Sequence, residues 1–515
     1  MHRATLAAAG CALAAAIAAP SAAFAAPKAD KPDRKTEKAA AALQSAVTVN
    51  GMLRHAREFQ GIADRSGGTR ASGTPGYDRS AAYVADRLRA AGYAVTVQPF
   101  SFPYFQETAP SQFERVSPAP RVYGEEDFAT MEYSGSGDVT APLTPVDVVI
   151  PPGDAPNTST SGCEPADFAG FPAGDVALVQ RGSCSFATKA ANAEAAGASA
   201  VVVFNEGQPG RTDAVAGTLG GPDASIPVLG ASYAVGEELV QLAEAGQTTV
   251  HVVTSTLSET RMTANVLADS PTGNTGRTVV VGAHLDSVVE GPGINDNGSG
   301  SAQNLEIAEE LPRALKKPRN AVRFAFWGAE ESGLLGSEHY VESLSQEQRD
   351  AIMANLNFDM VGSPNYVRFV YDGDGSAFGN PGPVGSDIIE SLFVDAFGAK
   401  GLPTEPTAFD GRSDYGPFIA VGIPAGGTFS GAEGIKTPEQ AATYGGTAGE
   451  AYDPCYHQAC DTLANLDHQA LSEFSDAAAD VTVRLLQREA PLTAVQTLAR
   501  RTATEMPFKG PHAVR

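Results

Sequence analysis

Five short stretches of this chain place imidazoles and carboxylates where catalytic groups usually collect. His284-Leu285-Asp286-Ser287 follows the apolar run TVVVGA, and Asn295-Asp296-Asn297-Gly298-Ser299-Gly300 opens a helical pattern soon after. Glu330-Glu331 ends VRFAFWGA, Asp359-Met360 follows NLNF, and Cys455-Tyr456-His457-Gln458-Ala459-Cys460 lies near the far end. Imidazole with carboxylate suits zinc, and zinc generates hydroxide at neutral pH. The charges balance for a pair of Zn2+ ions: Asp296, Glu331 and Asp359 neutralise all but one positive charge, and a bridging hydroxide takes the last. Glu330, beside Glu331, is then free to act as general base. Asp286, just past His284, can accept the other ring N–H. Singly, each residue has a plainer use: a packed strand-end histidine, an N-cap at Asp296 or Asn297, a solvated pair of glutamates. Asp359 resists that reading, because it follows a strand that should be buried, and a buried charge needs a partner.

The elements that must carry these residues follow from hydrophobic spacing. Strands are predicted at Thr278–Ala283, Ala321–Trp327, Asn355–Asp359 and Arg368–Tyr371, and helices at Ser299–Leu315, Leu335–Leu344, Ser386–Ala396 and Leu471–Leu486. Continuous apolar strands between amphipathic helices imply an α/β fold, with a mixed, mostly parallel sheet covered on both faces. In such sheets, sites form at the carboxyl ends of the strands, where these motifs fall. Upstream, a helical pattern runs from Thr48 to Gly92 and a strand from Tyr93 to Phe102. Residues 107–145 are rich in Pro, Gly, Ser and Thr. A glycine-rich segment, roughly 130–256, follows, with strands at Val176–Gln180, Ala200–Phe204 and Ile226–Leu229 and one helix at Ser185–Ala196. It reads as a small β-rich domain inserted into the larger one.

The ordered series AHLDS, NDNGSG, GAEESGLLGS, NFDMVG and YHQACD resembles the M28 family of two-zinc aminopeptidases, in its secreted bacterial branch. The likeness covers roughly residues 45–105 and 260–490. It implies a zinc-peptidase sheet and two Zn2+ per chain. His284 and Asp359 would hold one ion, Glu331 and His457 the other, and Asp296 would bridge them. The resemblance makes Glu330 the general base, Tyr456 the group that polarises the substrate carbonyl, and Asp286 the acid behind His284. Where family members often have Asp-Asp, this chain has Asp296-Asn297, which keeps the bridging residue. Asp410-Gly411-Arg412-Ser413-Asp414-Tyr415 matches the family's substrate loop, so Arg412 would hold the peptide backbone or product carboxylate. Met360 and Phe429 are expected to line an apolar pocket for the first side chain. The implied activity is removal of an apolar, leucine-like N-terminal residue. Carboxypeptidase or dipeptidase action, glutaminyl cyclisation, and a binding protein without catalysis are the alternatives. A calcium site stays open, with no residues assigned to it.

The insert resembles a protease-associated (PA) domain through Gly162-Cys163, Asp167-Phe168, Val176 to Val179, Arg181 to Phe186, Lys189, Ala196-Gly197-Ala198 and Phe204-Asn205. Five cysteines are present, and four remain once Cys11 is removed with the leader. Four cysteines allow three pairings, of which proximity favours Cys163–Cys184 and Cys455–Cys460. The PA likeness implies the first of these.

The N-terminus has the polar start, Ala-rich run and Ala23-Phe24-Ala25 pattern of an export signal. The expected organisation is a signal peptide (1–25), a loose leader or linker (26–44), a peptidase domain (45–129 and 257–490), the PA insert (130–256) and a tail (491–515). A net charge of -24 argues against nucleic acid as a partner. The expected product is a secreted, extracellular monomer with no stable membrane anchor, acting on the N-termini of peptides or proteins.

Overall fold

The computed structural model describes residues 33–492; the expected signal peptide, the start of the leader and nearly all of the expected tail lie outside them. At the centre is one sheet of mixed direction. Its middle strands run in the order Ala425–Phe429, Ile352–Phe358, Asn274–His284 and Asn320–Trp327, all parallel. Thr249–Asp269 adds antiparallel beyond Asn320–Trp327, and Phe369–Tyr371 with Glu405–Thr407 closes the other side. Residues Val279, Val280, Val281 and Ala283 are wholly buried, because helices cover both faces. One face packs against Gly298–Ala314 and His468–Gln487, through Leu305, Phe474 and Val481. The other packs against Leu335–Ser343 and Gly416–Ala420, through Trp327, Tyr340 and Phe418. Two-sided burial is what the unbroken apolar runs predict.

The longest strand corrects the sequence reading. The strand expected to stop at Phe102 runs from Ala94 to Ser117, paired antiparallel with Thr249–Asp269 almost throughout. Pro99, Pro103 and Pro110 fit within it, since only alternate N–H groups are needed for one partner. Its exposed faces blur the alternation that would have revealed it. Thr249–Asp269 is shared: its C-terminal end pairs with Asn320–Trp327 and its N-terminal end with Gly137–Pro145. The insert therefore continues the central sheet, through Val176–Gln180, Ala200–Phe204, Val228–Ala231 and Phe128–Thr130.

Among the helices that were not expected, two are 13 residues long. Residues read as a loose leader form Arg34–Ala46, capped by Asp33, whose side chain accepts from Thr36 N at 2.7 Å. Its Ala39, Ala40 and Leu43 are buried against the main core. A Lys- and Ala-rich composition suits a helix as well as a disordered tail, and the i, i+4 stripe decides. The insert holds a second helix, Tyr233–Ala245, capped by Ser232 and burying Val235, Leu239 and Val240. Among the described residues, no helix is long and apolar enough to cross a membrane. Cys163–Cys184 and Cys455–Cys460 are both bonded, with Cα separations of 5.8 and 5.3 Å.

Candidate active site

The parallel register sets the carboxyl ends of three central strands level: Trp327 lies beside His284, and Asn357 beside Gly282. His284 ends its strand, Glu330 and Glu331 sit just beyond the next, and Asp359 and Met360 just beyond the third. The loop after His284 leads through Asp296 into helix Gly298–Ala314. Asn297, not Asp296, caps that helix, accepting from Gly300 N at 2.9 Å. Asn297 also accepts from Met360 N at 3.1 Å and donates to Phe358 O at 2.9 Å, so it ties the Asp296 and Asp359 segments together. An ionised aspartate could not make the donating bond. Gly300 lets the helix start abut the strand end, for an added Cβ would lie 2.3 Å from Phe358 O. His457 arrives from the small Cys455–Cys460 ring.

These donors fall into two groups that share Asp296. His284 Nε2 lies 3.1 Å from Asp296 Oδ1 and 3.2 Å from Asp359 Oδ1. His457 Nε2 lies 3.3 Å from Asp296 Oδ2 and 3.1 Å from Glu331 Oε2. Donors placed 2.0–2.2 Å from a tetrahedrally held cation stand about 3.3 Å apart. Glu331 Oε1 is buried with no hydrogen-bond partner. The electrostatics agree. Burial raises the pKa of Glu330, and the charges of Asp359, Asp414 and Glu331 raise it further. Burial also lifts Glu331. Burial opposes charge on His284 and His457, yet the surrounding carboxylates outweigh it and hold both rings toward the charged form. The cavity thus demands positive charge, and N and O donors of this kind suit divalent zinc.

The neighbours fix these side chains. His284 Nδ1 faces Asp286 O at 3.2 Å, with the Asp286 carboxylate at 3.6 Å. Asp286 Oδ1 accepts from Glu330 N at 3.3 Å, which ties the acid to the Glu330 segment as well. Ser413 donates to Asp359 Oδ2 at 2.6 Å, and Asn357 donates to Ser413 at 2.8 Å. Tyr456 stacks on His457 with centroids 3.8 Å apart. Arg412 is held by Glu433 at 2.7 Å and donates to Tyr456 Oη at 3.3 Å, so its fork is partly engaged within the protein. A pocket beside Glu330 and Asp359 is lined by Met360, Phe429, Tyr371 and Tyr415 together with Arg412 and Tyr456.

Three supporting residues are given no role by the sequence, although Asp414 and Asp461 fall within its motifs. Arg70, fully buried, donates to the carbonyls of Leu285, Pro292 and Gly293 and holds the loop before Asp296. Burial lowers its pKa to about 10. Asp461 accepts from the N–H groups of Asn295 and Asp296 at 2.8 and 2.9 Å. Asp414 is buried, with both carboxylate oxygens unpartnered. All three act on backbone or through space, which leaves no periodic mark.

The Peptidase family M28 profile matches residues 265–482, and the PA domain profile matches residues 139–239. An aminopeptidase of Pseudomonas aeruginosa is 48% identical over 443 residues, covering 85% of this chain and 81% of that protein. A protein of Aspergillus fumigatus named probable leucine aminopeptidase 2 is 43% identical over 393 residues, covering 75% and 73%. Among solved structures, the aminopeptidase from Aneurinibacillus sp. strain AM-1 aligns at a TM-score of 0.66 and 27% identity, over 89% of this chain and 98% of that one.

Proposed function

The chain belongs to peptidase family M28 and is an aminopeptidase, and on that premise we propose that it is a two-zinc enzyme that removes apolar N-terminal residues. The observation that carries this reading is the division of donors around Asp296, one oxygen toward His284 and Asp359, the other toward His457 and Glu331. Two cations held there would acidify a water and polarise the scissile carbonyl.

The chain's own groups do the rest. Glu330 takes a proton from the attacking water and passes it to the leaving amine. Its burial, which raises the carboxyl pKa, makes it a competent donor in the second step. Tyr456 donates its hydroxyl proton in a hydrogen bond to the carbonyl oxygen as negative charge develops. The stack on His457 and the bond from Arg412 set that hydroxyl's position. Glu330 and Asp359 face the substrate's ammonium group, so a blocked N-terminus loses its anchor. Met360, Phe429 and the tyrosine rings receive an unbranched or leucine-like side chain, in keeping with the name of the Aspergillus fumigatus relative. The two disulfides support an oxidising compartment, and we propose secretion.

The test is a panel of aminoacyl p-nitroanilides, with free and acetylated leucine, before and after 1,10-phenanthroline. Cleavage of Leu and Met substrates, none of acetyl-Leu, and loss on chelation restored by zinc are expected. Equal cleavage of the acetylated substrate, or indifference to chelation, would overturn the reading.

A further inference from the structure

The strand Phe369–Tyr371 runs into a loop, Asp372-Gly373-Asp374-Gly375-Ser376, that the catalytic chemistry does not use. Helix Ser386–Gly398 follows and presents Glu390. One oxygen from each of Asp372, Asp374 and Glu390 lies within 4.8 Å of the other two. Asp372 is 1% exposed. Its Oδ2 accepts from Ala377 N and Phe378 N at 3.1 and 2.9 Å, while Oδ1 is sealed from solvent and meets no donor. An anionic oxygen in that state is unfavourable unless a cation completes it. Burial raises the pKa of Glu390, and the charges of Asp374 and Asp372 add to the rise.

The backbone holds the three carriers together. Asp374 N donates to Glu390 Oε2 at 3.0 Å, and Gly382 N to Gly373 O at 3.1 Å. Gly373 presses on the start of the helix so closely that a Cβ there would lie 2.2 Å from Ser386 O. We propose that Asp372, Asp374 and Glu390 form a calcium site separate from the catalytic centre. The donors are all oxygen, which disfavours zinc. Exposed Asp374 leaves room for waters, and a glycine-rich loop tolerates the irregular, high coordination of Ca2+ better than the strict octahedron of Mg2+. Asp372 N donates to Thr407 O at 2.8 Å, and Tyr371 and Thr407 line the catalytic pocket, so the ion braces one wall of it.

The experiment is calorimetric titration of Ca2+ into the full-length protein with its catalytic metal bound. One Ca2+ per chain is expected, with a dissociation constant on the order of 10⁻⁴–10⁻³ M, as for extracellular oxygen sites. Mg2+ should bind at least about 10-fold more weakly. Asp372→Asn would also disturb two backbone bonds, so Glu390→Gln and Asp374→Asn are the informative variants. Each removes one charge at constant shape and should weaken Ca2+ at least about 10-fold. Both should keep wild-type turnover in calcium-free buffer. No calcium bound at roughly ten times the upper dissociation constant, or equal binding by wild type and both variants, would overturn the proposal.

Discussion

Replacing Glu330 by glutamine separates chemistry from structure. The amide keeps the shape of a side chain that is only 4% exposed, but it cannot take a proton. A positioned general base contributes about 10²–10⁴ in rate, so kcat should fall by that factor, equivalent to about 3–5 kcal/mol in the barrier. Stability should not fall. Glu330 Oε2 lies 3.9 Å from His284 Nε2, an attraction of about 4 kcal/mol to a charged ring at an effective dielectric of 20. Its carboxylate also lies within 4.8 Å of the Asp359 oxygen, a repulsion of about 3.5 kcal/mol or more on the same scale. The two are of similar size, and burial together with the charges of Asp414 and Glu331 also opposes an ionised Glu330, so the neutral amide should not lower the unfolding free energy. The assay is kcat and KM on leucine p-nitroanilide, with zinc content and melting temperature measured on the same sample. Wild-type kcat would refute the general-base role. Loss of one zinc in step with turnover would instead make Glu330 a ligand.

The other predictions concern the disulfide ring and the insert. Converting Cys455 and Cys460 to serine opens a loop with a sequence separation of 5, which loop-closure entropy values at about 2 kcal/mol. Because the ring carries Tyr456 and left-handed His457, turnover should fall at least about 10-fold and zinc content toward one; undiminished activity would show that the ring does not position them. Lys189, buried in the insert, has its pKa lowered to about 8 by burial, which the charges of Asp167, Glu206 and Asp147 only partly offset. Between that value and its ordinary 10.5, the unfolded chain holds a proton the folded chain lacks, so stability rises with pH across this window and is flat below it. Melting curves of wild type and Lys189→Met should differ in slope there by about 1 kcal/mol per pH unit, and parallel curves would refute the shift.

Much of this protein is written locally. Runs such as Val279–Val281 can only be buried strands, and their periodicity with the following helices fixes an α/β sheet. Since sites gather at strand ends, position alone marked His284, Glu330, Glu331 and Asp359 as candidate site residues. Short spacing likewise pointed to both disulfides. Other features arise only when distant segments meet. Nothing in the sequence says that the two oxygens of Asp296 point to different histidines, or that Asn297 rather than its neighbour caps the helix. Arg70, Ser413 and Asp461 reach backbone carbonyls, a carboxylate and backbone amides in other segments, so their value depends on the partner's place in space. The length of Ala94–Ser117 and the helix at Arg34–Ala46 belong to the same class. Each is stabilised by the surface it lies against, and that surface is assembled from residues far along the chain.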